Sequence, residues 1–259
     1  MPSVPQTIRL GDRELTRIGL GTNRLTGTAE NRSFLEAAID AGLDFIDTAH
    51  LYTDGASEST IGATLAPFAE DLVVATKGGY RPGGGIEGLR AEVEQSFERL
   101  QVESIALYYL HRVDPEIPLE ETMAVLAEYR EAGRIVHLGL SEVSVEQIEL
   151  ARAVVPIAAV QNEYSLSERK HDEVVDFCAG ENLVFAPFYP MRGGDSVALG
   201  EIAAAHGATP NQIKIAWLLK RSPVVLPIPG TLSIEHLREN LAALELELSD
   251  ADFDRLTAL

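Results

Sequence analysis

At 259 residues, 46% of them apolar, the chain is long enough to bury a substantial core and short enough to form one domain. Its formal net charge of −19 argues against nucleic acid or an anionic membrane as the main partner, because binding phosphates calls for Lys/Arg patches. No apolar stretch approaches the roughly 18 residues of a membrane helix, the first ten residues carry no basic-then-apolar leader, and the one cysteine, Cys178, excludes an intramolecular disulfide; together these predict a cytoplasmic protein.

In chain order, Thr7–Leu10 and Glu14–Thr16 flank Gly11-Asp12-Arg13 and read as a hairpin that plugs one end of the fold. Short β-branched and apolar runs then alternate with polar stretches of helical periodicity. Ile18-Gly19-Leu20 is the first run. Phe45-Ile46 ends at Asp47, Leu72–Thr76 at Lys77, Ile105–Leu110 at His111, and Ile135–Leu140 at Ser141. Ile157–Val160 ends at Gln161, Leu183–Ala186 at Pro187, and Val224-Val225-Leu226 runs into Pro227-Ile228-Pro229. Continuous apolar runs of this length are strands buried on both faces, as in a parallel sheet. Between them, Leu89, Val93, Phe97 and Leu100 make one helical stripe and Leu119, Met123 and Leu126 another, and Ser144 caps a helix with Gln147 in the capping-box position. Eight strands alternating with helices through short loops predict an α/β fold, a single (β/α)8 barrel with an N-terminal β-hairpin, occupying residues 1–259. Arg81–Gly85 is the stretch expected to be most flexible.

Active sites of such barrels lie at the C-terminal ends of the strands, which directs attention to the residues that interrupt the apolar runs. Asp47, Lys77 and His111 end three successive strands, and Tyr52 follows five residues after Asp47. A tyrosine is a poor acid at neutral pH, but a Lys ammonium about 4 Å away contributes up to roughly 4 kcal/mol at an effective dielectric of 20, which favours the phenolate before desolvation opposes it. Asp47 would keep Lys77 charged, and His111 would hold a substrate oxygen beside the Tyr52 hydroxyl. Such a set protonates a carbonyl oxygen while a nucleophile attacks the carbon.

These residues sit in a recognisable context. Asp44-Phe45-Ile46-Asp47-Thr48-Ala49-His50-Leu51-Tyr52, followed by Gly55-Ala56-Ser57-Glu58 and Ile61-Gly62, closely resembles the first signature of the aldo-keto reductases. Ala75-Thr76-Lys77, Leu110-His111, Gly139-Leu140-Ser141, Gln161-Asn162-Glu163-Tyr164 and Pro227-Ile228-Pro229-Gly230-Thr231 resemble its later landmarks in order. The resemblance implies an NAD(P)H-dependent reductase using NADPH, with NADH as the alternative. In that role Tyr52 is the general acid, Lys77 and Asp47 tune it, and His111 orients the carbonyl. Ser141 and Gln161 are implied to hold the nicotinamide carboxamide, Phe185 to stack on its ring, and Gly21-Thr22 to lie near it. The Phe188–Gly194 loop, with Arg192, is implied to close over the pyrophosphate, and Glu239 and Asn240 to contact adenine. Glu142 stands where the family has Asn, and Gly230 and His236 where many members have Lys and Arg for the 2′-phosphate; Thr231 and His236 or Arg238 are the residues left for that group.

The Phe188-Tyr189-Pro190 loop and the Pro-Gly-Thr segment resemble a bacterial branch that includes pyridoxal reductases, so the expected substrate is a small carbonyl compound, pyridoxal-like or a simple aldehyde. The acidic surface predicts that strongly anionic substrates are disfavoured at low salt. No His-x-His pair or cysteine cluster suggests a metal, and Gly83-Gly84-Gly85 lacks the Lys-Ser/Thr of a phosphate-binding loop. A glycoside hydrolase would need two strand-end carboxylates, which Asp47 beside Lys77 fits poorly. The remaining competitor is an NADPH-binding sensor or scaffold subunit with little turnover; the intact Asp47/Tyr52/Lys77/His111 set favours turnover.

Overall fold

Strand and helix alternate through the described residues, 4–80 and 83–259, of this computed structural model. An antiparallel hairpin of β1 (Thr7–Leu10) and β2 (Arg13–Thr16) comes first, followed by β3 (Leu20–Gly21) and α1 (Ala29–Asp40). Then come β4 (Phe45–Asp47), a 3-10 turn at Tyr52–Gly55, α2 (Ala56–Leu65), β5 (Val73–Gly78), α3 (Gly85–Leu100), β6 (Ile105–Leu110), α4 (Leu119–Glu131), β7 (Ile135–Ser141) and α5 (Val145–Arg152). After β8 (Ile157–Gln161), α6 (Asp172–Glu181) and β9 (Val184–Phe185), the chain ends in α7 (Val197–Ala205), α8 (Pro210–Arg221), α9 (Ile234–Ala242) and α10 (Asp250–Thr257). Strands β3 to β9 pair in sequence order, all parallel, in one curled seven-stranded sheet. Among the described residues no helix is long and apolar enough to cross a membrane. Of the glycine stretch expected to be most flexible, Arg81 and Pro82 lie outside the described residues, and Gly83 donates its amide to Asp114 Oδ2 at 3.0 Å.

The strands of the parallel sheet are largely buried on both faces, as their continuous apolar runs require. Ile46, Val74, Tyr108, Leu138, Val160 and Phe185 turn outward into the layer shared with the helices. Their neighbours Phe45, Val73, Leu107, Ala159 and Val184 turn inward, where they meet Ile8, Leu10 and Leu15 of the hairpin. The hairpin therefore closes the interior with apolar side chains. Its turn depends on Gly11, whose φ of 62° favours glycine and whose missing Cβ would come within 2.3 Å of the His137 ring. The helices carry the signals seen in the sequence: the Leu89/Val93/Phe97/Leu100 stripe is buried, and Ser144 and Gln147 form a reciprocal capping box.

The eighth expected run differs from a regular strand. Residues 224–229 run between β9 and β3: Phe185 donates to Val224 O at 2.8 Å, Leu226 to Phe185 O at 2.9 Å, Gly19 to Pro227 O at 3.0 Å and Gly21 to Pro229 O at 3.2 Å. Pro227 and Pro229 have carbonyls but no N–H, so on the β3 side this segment accepts without returning a ladder bond, and only isolated parallel bridges form at Val225 and Gly230.

Arg17 anchors this closure. Its side chain is fully buried and donates to four main-chain carbonyls: Pro5 at 2.9 Å, Val225 at 3.2 Å, Leu219 at 3.0 Å and Ser222 at 2.6 Å. Burial pulls its pKa down to about 10, which still leaves it a cation at neutral pH. One guanidinium thus ties the N-terminal segment to α8 and to the proline-bearing run. Arg17→Met, similar in length but without donors, should lower the unfolding free energy by about 3 kcal/mol, since several buried carbonyls lose their partners at once. Urea titration should show an earlier midpoint at an unchanged slope.

Candidate active site

The inward parity of the strands, followed one step past the last apolar residue, gives the wall of the site. Phe45 leads to Asp47, Val73 and Ala75 to Lys77, Leu107 and Tyr109 to His111, and Ala159 to Gln161. The parallel register sets Gly21 beside Asp47 and Ser141 beside Gln161. These polar side chains are buried yet line an open mouth, because the strands stop there and loops take over.

Tyr52 arrives differently, on the 3-10 turn after β4. Thr53 and Asp54 in that turn have φ of 49° and 54°, a left-handed conformation that is costly for a β-branched residue such as Thr53. Hydrogen bonds hold it: Thr53 Oγ1 donates to Leu25 O at 2.7 Å, and Arg99 donates to His50 O at 3.0 Å. Arg99 is itself positioned by Glu58, fully buried and 3.3 Å away, which also accepts from Thr76 Oγ1 at 2.6 Å.

Lys77 Nζ donates to Asp47 Oδ2 at 2.8 Å, to Thr48 O at 2.7 Å and to Tyr52 Oη at 3.1 Å. Asp47 Oδ1 accepts from Gln161 Nε2 at 2.7 Å, so both carboxylate oxygens are engaged. Burial alone would lower the Lys77 pKa, but Asp47 and then Tyr52 outweigh it, and the ammonium is held above its ordinary value. Tyr52 corrects the sequence-based expectation: burial outweighs Lys77, and the hydroxyl is pushed above 10 rather than below it. His111 is lowered to about 2, by burial first and then by the charges of Lys77 and Arg112, and is therefore neutral. Its Nδ1 is buried with no hydrogen-bond partner among the described residues. Its ring lies 6.1 Å from that of Tyr52, nearly perpendicular, and 4.9 Å from that of Tyr80.

These groups open into a cavity of about 870 Å3, within the range of small-molecule and cofactor pockets. Of the residues expected to bind cofactor, Gly21, Thr22, Asp47, Ser141, Glu142, Gln161, Phe188, Arg192 and Gly230 line it. Phe185 does not. It faces outward with its ring edge-on to Tyr164, 5.7 Å between centroids, and has no exposed surface. The reason is parity: Val184 points inward, so Phe185 points to the helices and Phe188, not Phe185, is the aromatic face presented to the cavity. The alternation is present in the sequence and selects Phe188.

Glu142 has a φ of 54° and turns its carboxylate toward the loop after β8. It accepts the Glu163 amide at 2.6 Å and lies 3.6 Å from His171 Nε2 and 3.4 Å from Lys170 Nζ. Burial would raise its pKa, but the neighbouring His171, the hydrogen bond from the Glu163 amide and the charge of Lys170 bring it down to about 2. Arg192 is paired with Glu163 and lies over the Tyr189 ring at 4.3 Å. Thr231, His236, Glu239 and Asn240 do not line the cavity. Thr231 Oγ1 accepts the Ser233 amide at 3.0 Å, His236 is exposed in the first turn of α9, Glu239 accepts from Thr209 Oγ1 at 2.5 Å, and Asn240 is buried. Sequence reasoning overlooked Tyr80 and Arg112, which also line the cavity, as does Tyr189 of the loop singled out in the sequence; Arg112 adjoins His111 directly, and that adjacency is the signal for it.

Comparison with known proteins gives this architecture a family. The profile of the aldo/keto reductase family matches residues 17–197 and 195–259. Pyridoxine 4-dehydrogenase of Escherichia coli is 34% identical over 270 aligned positions, which cover 94% of each chain. The crystal structure of a thermostable aldo-keto reductase with the inhibitor epalrestat superposes with a TM-score of 0.89 at 32% identity, covering 97% of this chain and 98% of the other. An aldo/keto reductase from Klebsiella pneumoniae, in complex with NADP and acetate, superposes with a TM-score of 0.87 at 29% identity, covering 98% and 94%. Profile, sequence and fold agree over nearly the whole length described, and the chain belongs to the aldo/keto reductase family.

Proposed function

We propose that this protein reduces small aldehydes or ketones to alcohols with NADPH, Tyr52 supplying the proton. The observation that carries the reading is the Lys77 ammonium, whose three N–H bonds are all committed. One of them points at the Tyr52 oxygen, so that oxygen accepts, and the hydroxyl's own proton is left to donate into the cavity. The Klebsiella neighbour with bound NADP and the pyridoxine-oxidising relative support the cofactor and a pyridoxal-like or simple carbonyl substrate. We read the seven strands and the 224–229 segment as one closed (β/α)8 barrel forming a single domain.

The residues present suit a nicotinamide. Ser141 offers a hydroxyl, Gln161 retains its amide oxygen after donating to Asp47, Phe188 offers a flat apolar face, and Gly230 leaves the cavity wall without a side chain. When bound, the reduced cofactor supplies a hydride to the carbonyl carbon. Tyr52 donates its proton to the carbonyl oxygen as that bond forms, and the phenolate left behind faces Lys77 at hydrogen-bond distance, which stabilises it. Asp47 keeps the ammonium charged in a dry setting, and Gln161 holds Asp47. Neutral His111 accompanies the carbonyl oxygen without placing a second cation beside Lys77.

Tyr52→Phe should cut turnover by at least about two orders of magnitude while leaving NADPH affinity close to wild type, because only the acid is removed; steady-state kinetics with fluorescence titration of cofactor checks both halves. The pH dependence has a definite sign. Reduction needs protonated Tyr52, whose pKa lies above its ordinary 10, and His111 stays neutral above about 2. Turnover in reduction should therefore be level from about pH 6 to about pH 9 and fall only in more alkaline solution, while alcohol oxidation rises there. A pH profile of single-turnover reduction rates measures this, and an inflection near 6.5 would return His111 to the titrating groups.

A further inference from the structure

Among the described residues three arginines line the cavity, and they differ in what holds them. Arg192 is neutralised by Glu163, and Arg24 donates to the Gly230 carbonyl at 3.3 Å. Arg112 stands beside the catalytic set. One of its terminal nitrogens donates to His111 O at 2.6 Å and to Ser141 Oγ at 3.0 Å, which uses both hydrogens of that nitrogen. Its Nε and its second terminal nitrogen make no hydrogen bond to protein among the described residues, and no carboxylate there lies within ion-pair distance. Tyr80 and Phe188 flank the guanidinium, with ring centroids 5.4 Å and 5.8 Å from its central carbon. The Tyr80 ring in turn touches that of His111. A half-buried cation is thus steadied by two aromatic faces and one clamped nitrogen, and its remaining donors have no partner among the described residues.

We propose that Arg112 selects substrates by binding the anionic end, a carboxylate or a phosphate monoester, of a carbonyl compound whose carbonyl oxygen lies at Tyr52 and His111. This rests on the reductase reading above and gives its substrate class. The guanidinium fork matches either oxyanion with two parallel charge-assisted hydrogen bonds. Clamping costs the side chain its freedom before substrate arrives, so less is lost on binding. The chain's net charge of −19 pulls the other way. Surface charges beyond about 8–10 Å are screened at physiological salt, however, and a contact at hydrogen-bond distance is not. Inside the cavity the local cation outweighs the global field, opposite to the bias that composition alone predicts. Arg112 takes no part in bond making; its effect is on which molecule is held.

The test compares each anionic carbonyl compound with a neutral counterpart, so that any general loss of activity cancels. With NADPH, kcat/KM is measured for 3- and 4-carboxybenzaldehyde against their methyl esters, and for pyridoxal 5′-phosphate against pyridoxal, in wild type and in Arg112→Gln. Wild type should prefer the anion in the carboxylate or the phosphate pair by at least about tenfold, the scale of a charge-assisted hydrogen bond, and Arg112→Gln should bring that ratio to near one. The pair that responds identifies the anion. A wild-type ratio at or below one in all three pairs, or a preference that survives in Arg112→Gln, overturns the proposal. Calorimetry of benzoate and of inorganic phosphate with the NADP-loaded protein gives a readout without turnover, and Arg112→Gln should weaken the responding anion by a similar factor. Arg112-dependent binding with no carbonyl reduced would uphold the anion site and refute the reductase reading. Reduction of neutral aldehydes with neither ratio nor binding sensitive to Arg112 would do the reverse.

Discussion

A fully buried ammonium needs three acceptors and a counter-charge, and the C-terminal edge of this curled sheet is arranged around meeting that need for Lys77. The carboxylate comes from the end of β4, a carbonyl from the residue after it, and the third acceptor from a turn bent into a left-handed conformation. The hydrogen bond from the charged Lys77 to Tyr52 contributes roughly 1.5–3 kcal/mol, the scale of one strained residue in the Tyr52 turn. The same arrangement underlies the proton-donor role proposed for Tyr52. The strain and the buried charge therefore belong to one device, stabilised by Arg99, Glu58 and Thr76 behind it.

Stability and function occupy different ends of the sheet. At the hairpin end the interior is apolar, and Arg17 directs its donors to main-chain carbonyls that no ladder satisfies. At the other end the same inward-facing rows continue as polar residues. Because parity carries each row without interruption from core to site, a side chain one residue out of step belongs to the helices. Phe185 and Phe188 illustrate this: both are aromatic and three residues apart, yet only Phe188 meets the cavity.

Charge is distributed in the cavity with little left uncompensated. Asp47 answers Lys77, Glu163 answers Arg192, and Glu142 is turned toward Lys170 and His171. Glu142 sits where a carboxamide contact was expected, but its oxygens brace the loop after β8 instead. Among the described residues Arg24 and Arg112 stand outside this balance, and Arg112, beside His111 and with free donors, draws a role of its own.

What the sequence determined by itself was whatever depends on periodicity and on strand ends. Two-faced apolar runs dictated a parallel sheet, helical stripes dictated the covering layer, and the polar residues closing those runs marked Asp47, Lys77, His111, Ser141 and Gln161 by position alone. The tertiary structure decided what depends on balance between competing effects. Burial against a neighbouring ammonium set the Tyr52 pKa upward, a sign that no spacing reveals because it depends on how much water is excluded. Two prolines reduced the eighth run to isolated bridges, since the missing N–H groups matter only once a partner strand is present. Packing likewise left Arg112 without a carboxylate among the described residues, because an ion pair forms between residues far apart in sequence and only the folded chain shows which charges have met.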